Sequence, residues 1–327
     1  MSKKPRVLSL NAGFLLGILS EGHALSYNAA CSRKPALPGN SVHPRRTITS
    51  DETNSPGSVR DASTVRMTYP SRSVAAKSIR AYYRTLHRAW GPQHWWPADT
   101  PFEVITGAYL TQNTSWTNVE KALANLRAAD VLSIDGIRNT PLFRLESLIR
   151  SAGYFRQKAH RLKTFVAFLD ERYGGSLEQM FRQPTLTLRE ELLALHGVGP
   201  ETADSILLYG GHHPIFVVDA YTRRIFHRHE IIPESAGYDE IRALVEQALA
   251  PLAKESPTPH SASAKQRGGP AGAPHPPSPM STAQRSPLSQ VNNEMHGLLV
   301  GVGKNFCLKS QPNCDHCPLR KYLPTPR

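Results

Sequence analysis

The stretch LHGVGPETADSILLYGG, residues 195–211, decides how this chain is read. Gly197 and Gly199 flank Val198, and Pro200 follows where a helix can begin. A proline at the first helical position is preorganised and gives up no useful amide. Glu201 then falls at the positive end of the helix dipole. The glycines let the backbone approach a neighbour closely, and the helix N-terminus behind them offers N–H groups to an anion. The spacing predicts two helices joined by a hairpin that can grip a nucleic-acid phosphate without reading sequence. Taken alone it is also an ordinary tight helix–helix turn, so its surroundings must decide.

Outward from the hairpin, apolar residues recur at helical spacing over 74–90, 102–111, 116–128, 141–151, 155–172, 186–195, 200–209, 219–228, 237–250 and 290–303. In the first of these, Val74, Ile79, Tyr82, Tyr83, Leu86 and Trp90 share one face. Gly153, Gly174, Gly175, Gly210 and Gly211 punctuate the pattern as caps or turns. Only IFVV at 215–218 resembles a strand, and four residues do not make a sheet. The expected fold class is all-α.

Two segments cannot build a core. Residues 1–66 form a Ser/Pro/Arg-rich tail, and residues 252–289 are rich in Pro, Ser, Ala and Gly with almost no large apolar side chains. Both read as disordered, the second as an insertion within a domain. Lys3, Lys4 and Arg6 before VLSLNAGFLLGIL imitate a signal peptide. The basic core and the cysteine pattern argue against export, and an over-long gene start with Met67 as initiator accounts for the tail equally well.

The 327 residues carry 39 Lys/Arg against 26 Asp/Glu, a net charge of +13 that favours a polyanionic partner. Residues 1–66 hold nine of those bases against four acids, and residues 252–289 hold four against one. More than half of the excess thus lies outside the folded part, so charge alone is weak evidence for nucleic acid. No run of 18 apolar residues occurs, which predicts no membrane span. A cytoplasmic, nucleoid-associated monomer is expected.

Beyond the hairpin comes Asp219, in FVVDAYTRRIF. Aspartate is a good N-cap, and capping the helix that begins at Ala220 is its simplest role. Here the pattern becomes specific. The L-x-G-V-G-x-x-T-A hairpin, the V-V-D before a helix, the TQN at 111–113 and the C-terminal cysteines resemble the helix-hairpin-helix DNA glycosylases of the endonuclease III superfamily. The resemblance runs from about Trp90 to Cys317, apart from the insertion. It implies a helical barrel over 100–213 and a second lobe made of 67–99 and 214–323, with DNA across the cleft between them. It also implies that Asp219 is the catalytic carboxylate, that Gln112 fills the hole left by an extruded nucleotide, and that Gly197, Gly199 and Thr202 contact DNA. The chemistry agrees, because a carboxylate can stabilise an oxocarbenium-like sugar or activate the attacking water.

In the bifunctional branch of that family a lysine two residues after the second hairpin glycine attacks the sugar. This chain has Glu201 there, and no lysine between Thr164 and Ala253. Without an amine no imine forms, so no lyase activity is expected. Glu201 either is a surface helix residue or faces the flipped base. All four tryptophans fall within 90–116. Trp90 reads as core on its helix, whereas Trp95, Trp96 and Trp116 can form an aromatic base pocket. The W-W-P and TQN-x-x-aromatic pattern looks like the 3-methyladenine glycosylase offshoot of the family. An alkylated purine can carry positive charge, and stacking on indole adds roughly 1–2 kcal/mol when desolvated. Double-stranded DNA with a damaged base is the expected partner.

Cys307, Cys314 and Cys317 form a C-x6-C-x2-C run, which suggests metal ligation rather than a disulfide framework. It matches three ligands of the family's iron–sulfur loop, but the fourth position is Leu323. Three outcomes stay open: a [4Fe–4S] cluster with only three cysteine ligands, a zinc site completed by His316 or His296, or no metal. Lys304, Lys309, Arg320 and Lys321 around the loop read as phosphate contacts or as basic surface. Rival functions are a bifunctional glycosylase/lyase, a DNA-binding module without catalysis, and an adenine-mismatch glycosylase.

Overall fold

The computed structural model describes residues 69–255 and 276–324. The tail 1–66, Met67 and the middle of the proposed insertion lie outside those residues. The regular secondary structure of the described residues is all helical, with no strand among them. The helices are α1 (Arg72–Trp90), α2 (Pro101–Leu110), α3 (Trp116–Ala128), α4 (Ile134–Asn139), α5 (Leu142–Leu148), α6 (Phe155–Tyr173) and α7 (Leu177–Phe181). They continue with α8 (Thr185–Ala194), α9 (Pro200–Ser205), α10 (Ala220–Arg228), α11 (Tyr238–Glu255), α12 (Pro279–Thr282) and α13 (Pro287–Asn305). Local chemistry starts several of them. Thr100 accepts from the Glu103 amide ahead of Pro101, and Ser133 and Ser176 cap α4 and α7 in the same way.

Two apolar cores organise these helices. One gathers side chains from α2 to α9, with Leu110, Leu126, Phe165, Leu169 and Leu208 fully buried. The other joins α1, α10, α11 and α13 around Ile79, Leu86, Phe226, Leu249 and Leu298. Each such side chain contributes roughly 1.5–3 kcal/mol by leaving water.

The extended segment 215–218 is the seam between the cores. Ile215 and Val217 enter the first, whereas Phe216 and Val218 enter the second, as alternation along an extended chain requires. A buried extended segment has no sheet to satisfy its peptide groups, and side chains from neighbouring helices do so instead. The Phe216 amide donates to Glu246 at 2.9 Å and the Val218 amide to the Tyr238 hydroxyl at 3.3 Å. The Val217 carbonyl is bonded to Nδ1 of His296 at 3.1 Å.

Four expectations change. Val74 is exposed, and Ala75 and Ala76 are buried in its place; the inward stripe starts one residue later than the larger side chain suggests. Trp96 and Ala98 pack into the first core, whereas Trp90 packs into the second, so the expected segment 67–99 is divided between the two cores. Short helices α4, α7 and α12 have no counterpart in the sequence reading, being too brief for a periodic pattern. The ends of the stretch 252–289 are helical and packed, with Leu252 and Met280 buried. There the Met280 amide donates to the Ala98 carbonyl at 3.1 Å.

Candidate active site

The hairpin lies between α8 and α9. Gly197 has φ +82°, a conformation that favours glycine, and the Arg161 guanidinium packs against the space a side chain would need. Gly199 has no such constraint and faces open space, where a ligand can approach the backbone. Gln112, just after α2, ties the hairpin down. Its amide nitrogen donates to the Gly197 carbonyl at 3.1 Å and to the Thr202 hydroxyl at 2.9 Å, and its oxygen accepts from Arg161. Gln112 and Thr202 thus bind each other here. Buried Lys158 steadies the same turn by donating to the carbonyls of Leu110 and Ala152.

Asp219 ends the seam and caps α10. Its Oδ1 accepts from the Thr222 amide at 2.7 Å and the Thr222 hydroxyl at 2.9 Å. Its Oδ2 faces Nε2 of His296 at 4.0 Å. Capping therefore uses one oxygen of the carboxylate and leaves the other facing His296. Glu201 is solvent-accessible at the start of α9, yet desolvation by surrounding protein, joined by the charge of Asp219, pushes its pKa up to about 7. An accessible group with a desolvated carboxyl is what the wall of a cleft produces.

The tryptophans gather beside this pair. Trp96 stands edge-on to Trp116 with ring centroids 5.0 Å apart, and Trp95 lies 5.7 Å from Trp96 and 6.5 Å from Trp116. Tyr209 closes on Trp96 at 5.2 Å, and His296 on Trp95 at 6.1 Å. Trp96 is buried, whereas Trp95 and Trp116 keep partial exposure. The Trp-bearing loop is held by α13, where Asn293 donates to the Trp95 carbonyl and Glu294 accepts from the Gln93 amide. Tyr209 has its hydroxyl pKa raised by burial first and by Asp219 second.

Two residues here escaped the sequence reading. His296 entered it only as a zinc ligand, and Lys304 only as a phosphate contact. Lys304 places its ammonium 5.8 Å from the centre of the Trp95 ring. Desolvation lowers its pKa, while Glu120 and Asp219 oppose that shift. Both residues come from α13, and no local motif marks them.

Cys307, Cys314 and Cys317 line one small cavity of about 20 Å³ together with Arg228, His229 and Leu323. A four-thiolate cluster does not fit these donors, because Leu323 is apolar and the His229 Nδ1 is bonded to the Tyr82 hydroxyl. Among the described residues no group of three or more His, Cys, Asp or Glu is disposed as a metal site. His296 faces Asp219, and the exposed His316 is bonded through Nδ1 to the Asn313 side chain. The loop is held by protein groups: Arg224 donates to the Cys307 carbonyl, and Arg228 to those of Leu308 and Lys309.

Comparison with known proteins gives a consistent picture. Residues 106–251 match the family model described as HhH-GPD superfamily base excision DNA repair protein. A Methanocaldococcus jannaschii protein named as a DNA repair glycosylase, MJ1434, is 40% identical over 246 residues, which cover 75% of this chain and 94% of that protein. Endonuclease III of Thermotoga maritima is 34% identical over 128 residues, 39% of this chain and 56% of its own. Among solved structures, the H. pylori 3-methyladenine DNA glycosylase MagIII bound to 1,N6-ethenoadenine aligns with a TM-score of 0.55 at 26% identity. That alignment covers 70% of this chain and 97% of the other. Among the described residues no helix is long and apolar enough to cross a membrane.

Proposed function

This chain belongs to the HhH-GPD superfamily and is a DNA glycosylase of base excision repair; from that premise we propose that it is monofunctional, hydrolysing the bond to a flipped alkylated purine in duplex DNA. What supports this reading is that Asp219 faces His296, which packs on Trp95, while the Asp219 charge helps to raise the Glu201 carboxyl. An alkylated purine with positive charge stacks on electron-rich indole and is drawn to carboxylates. Such a base leaves readily once the sugar bond stretches, and Asp219 Oδ2 serves the developing cation or the incoming water. Glu201 occupies the helix position where a nucleophilic amine would otherwise stand. The hairpin supplies backbone amides to a phosphate, and Gly199 leaves room for it. The protein acts as a monomer on double-stranded DNA in the cytoplasm, at the nucleoid.

The test is release of bases from matched duplexes carrying 3-methyladenine, 1,N6-ethenoadenine, thymine glycol or uracil. The account expects the alkylated purines to be released first. Rapid release of thymine glycol with the purines untouched would overturn the lesion assignment.

A further inference from the structure

We infer that His296 is a second holder of the attacking water, sharing it with Asp219; this rests on the hydrolytic reading above. The buried imidazole is fixed by packing against Trp95, Tyr209 and Phe216, with centroid distances of 5.7 to 6.2 Å. Its Nδ1 meets the Val217 carbonyl at 3.1 Å. A carbonyl oxygen can only accept, so Nδ1 carries the proton of that bond. In the neutral ring Nε2 is then a lone-pair acceptor, and it faces the acceptor Oδ2 of Asp219 at 4.0 Å.

An acceptor on a buried imidazole and an acceptor on a partly exposed carboxylate that face each other are reconciled by a donor between them. The gap is too long for a direct hydrogen bond, yet one oxygen can stand about 2.8 Å from both atoms. A water there donates one O–H to Asp219 and the other to His296. Its own lone pairs are left for the sugar, and both donated bonds raise their electron density. In the reaction the water oxygen bonds to C1′ as the C1′–N bond breaks and its electron pair leaves with the base. The water proton passes to Asp219 and on to solvent, so no co-reactant is required. A monofunctional enzyme needs such a nest, because water replaces the lysine of a lyase as nucleophile.

Asparagine and glutamine separate the two nitrogens of His296. His296→Asn keeps a donor near the Nδ1 position for Val217 and lacks anything at Nε2. The variant is measured on the duplex lesion that the wild type releases fastest, by single-turnover excision, melting temperature and duplex affinity. The expected result is unchanged binding, melting within a few degrees of wild type, and excision slower by about 10- to 100-fold. Added to Asp219→Asn, it should cost little more, since both remove the same water. Excision within about threefold of wild type, or losses that multiply, would overturn the inference.

Should His296→Asn melt early, His296→Gln and His296→Met decide, since both lose the Val217 bond and only glutamine reaches the Nε2 position. Glutamine is expected to be much the faster, and equal rates would overturn the inference. Full activity in Asp219→Asn would sink the Asp219 assignment itself. Release of some other base by the wild type would touch only the lesion assignment.

Discussion

The side-chain amide of Gln112 donates to the hydroxyl of Thr202 across 2.9 Å, binding the turn after α2 to the hairpin helix α9. That bond makes the hairpin a fixed platform. Thr202→Val keeps shape and removes the acceptor, leaving a half-buried amide short of a partner, which costs about 1–3 kcal/mol. The variant should melt several degrees lower and bind duplex DNA more weakly. If Gln112 acted only by entering the DNA stack, Thr202→Val would leave affinity unchanged.

Glu201 gives a pH prediction. Its carboxyl titrates near pH 7 in the folded protein, well above its value in an unfolded chain. The folded state therefore holds the proton more tightly, and stability declines as pH rises through about 7. Glu201→Gln should remove that decline, seen as a higher melting temperature than wild type at pH 8 and little difference at pH 5. Below pH 7 the neutral acid can also donate to a departing neutral base such as ethenoadenine. Release of that base should fall above pH 7 in wild type, while release of cationic 3-methyladenine should not. Identical profiles for the two bases would remove Glu201 from the base pocket.

Trp116, partly exposed, stands edge-on to buried Trp96. Trp116→Ala should slow excision of alkylated purines by an amount matching lost stacking, on the order of 1–3 kcal/mol. Trp116→Phe keeps a π face and should retain most of the rate. Equal losses in the two variants would mean that Trp116 only packs.

Met280 tests the packed end of the stretch at 252–289. It is buried against the first core, so Met280→Ala should cost about 2–5 kcal/mol in denaturant unfolding. A variant as stable as wild type would return this segment to a disordered insertion.

These cases show what a sequence can disclose. Gly197, Pro200, Asp219 and the tryptophans lie in short runs whose spacing is itself the signal. His296 and Lys304 reach Asp219 and Trp95 from α13 only because the chain folds back, so local pattern leaves them unmarked. Glu246 and Tyr238, which satisfy the amides of the seam, are likewise ordinary residues of an amphipathic helix until the extended segment needs partners. The packed end of the Pro-rich stretch did carry a signal. SPMS at 278–281 and SPLS at 286–289 each set a serine cap before a proline, and composition hid them. At the cysteine loop the spacing suggested ligands, while the arginines that hold the loop come from α10.

The central claim is hydrolysis directed by Asp219 without a covalent amine. Its most direct test is one single-turnover assay of wild type and Asp219→Asn on duplex DNA carrying 3-methyladenine, with borohydride present and strands resolved before and after alkali. The account predicts base release by wild type, intact strands until alkali is added and no trapped adduct. Asp219→Asn should be slower by about 10²- to 10⁴-fold. A borohydride-trapped protein–DNA adduct, with Lys304 as the first suspect, or undiminished release by Asp219→Asn would contradict it.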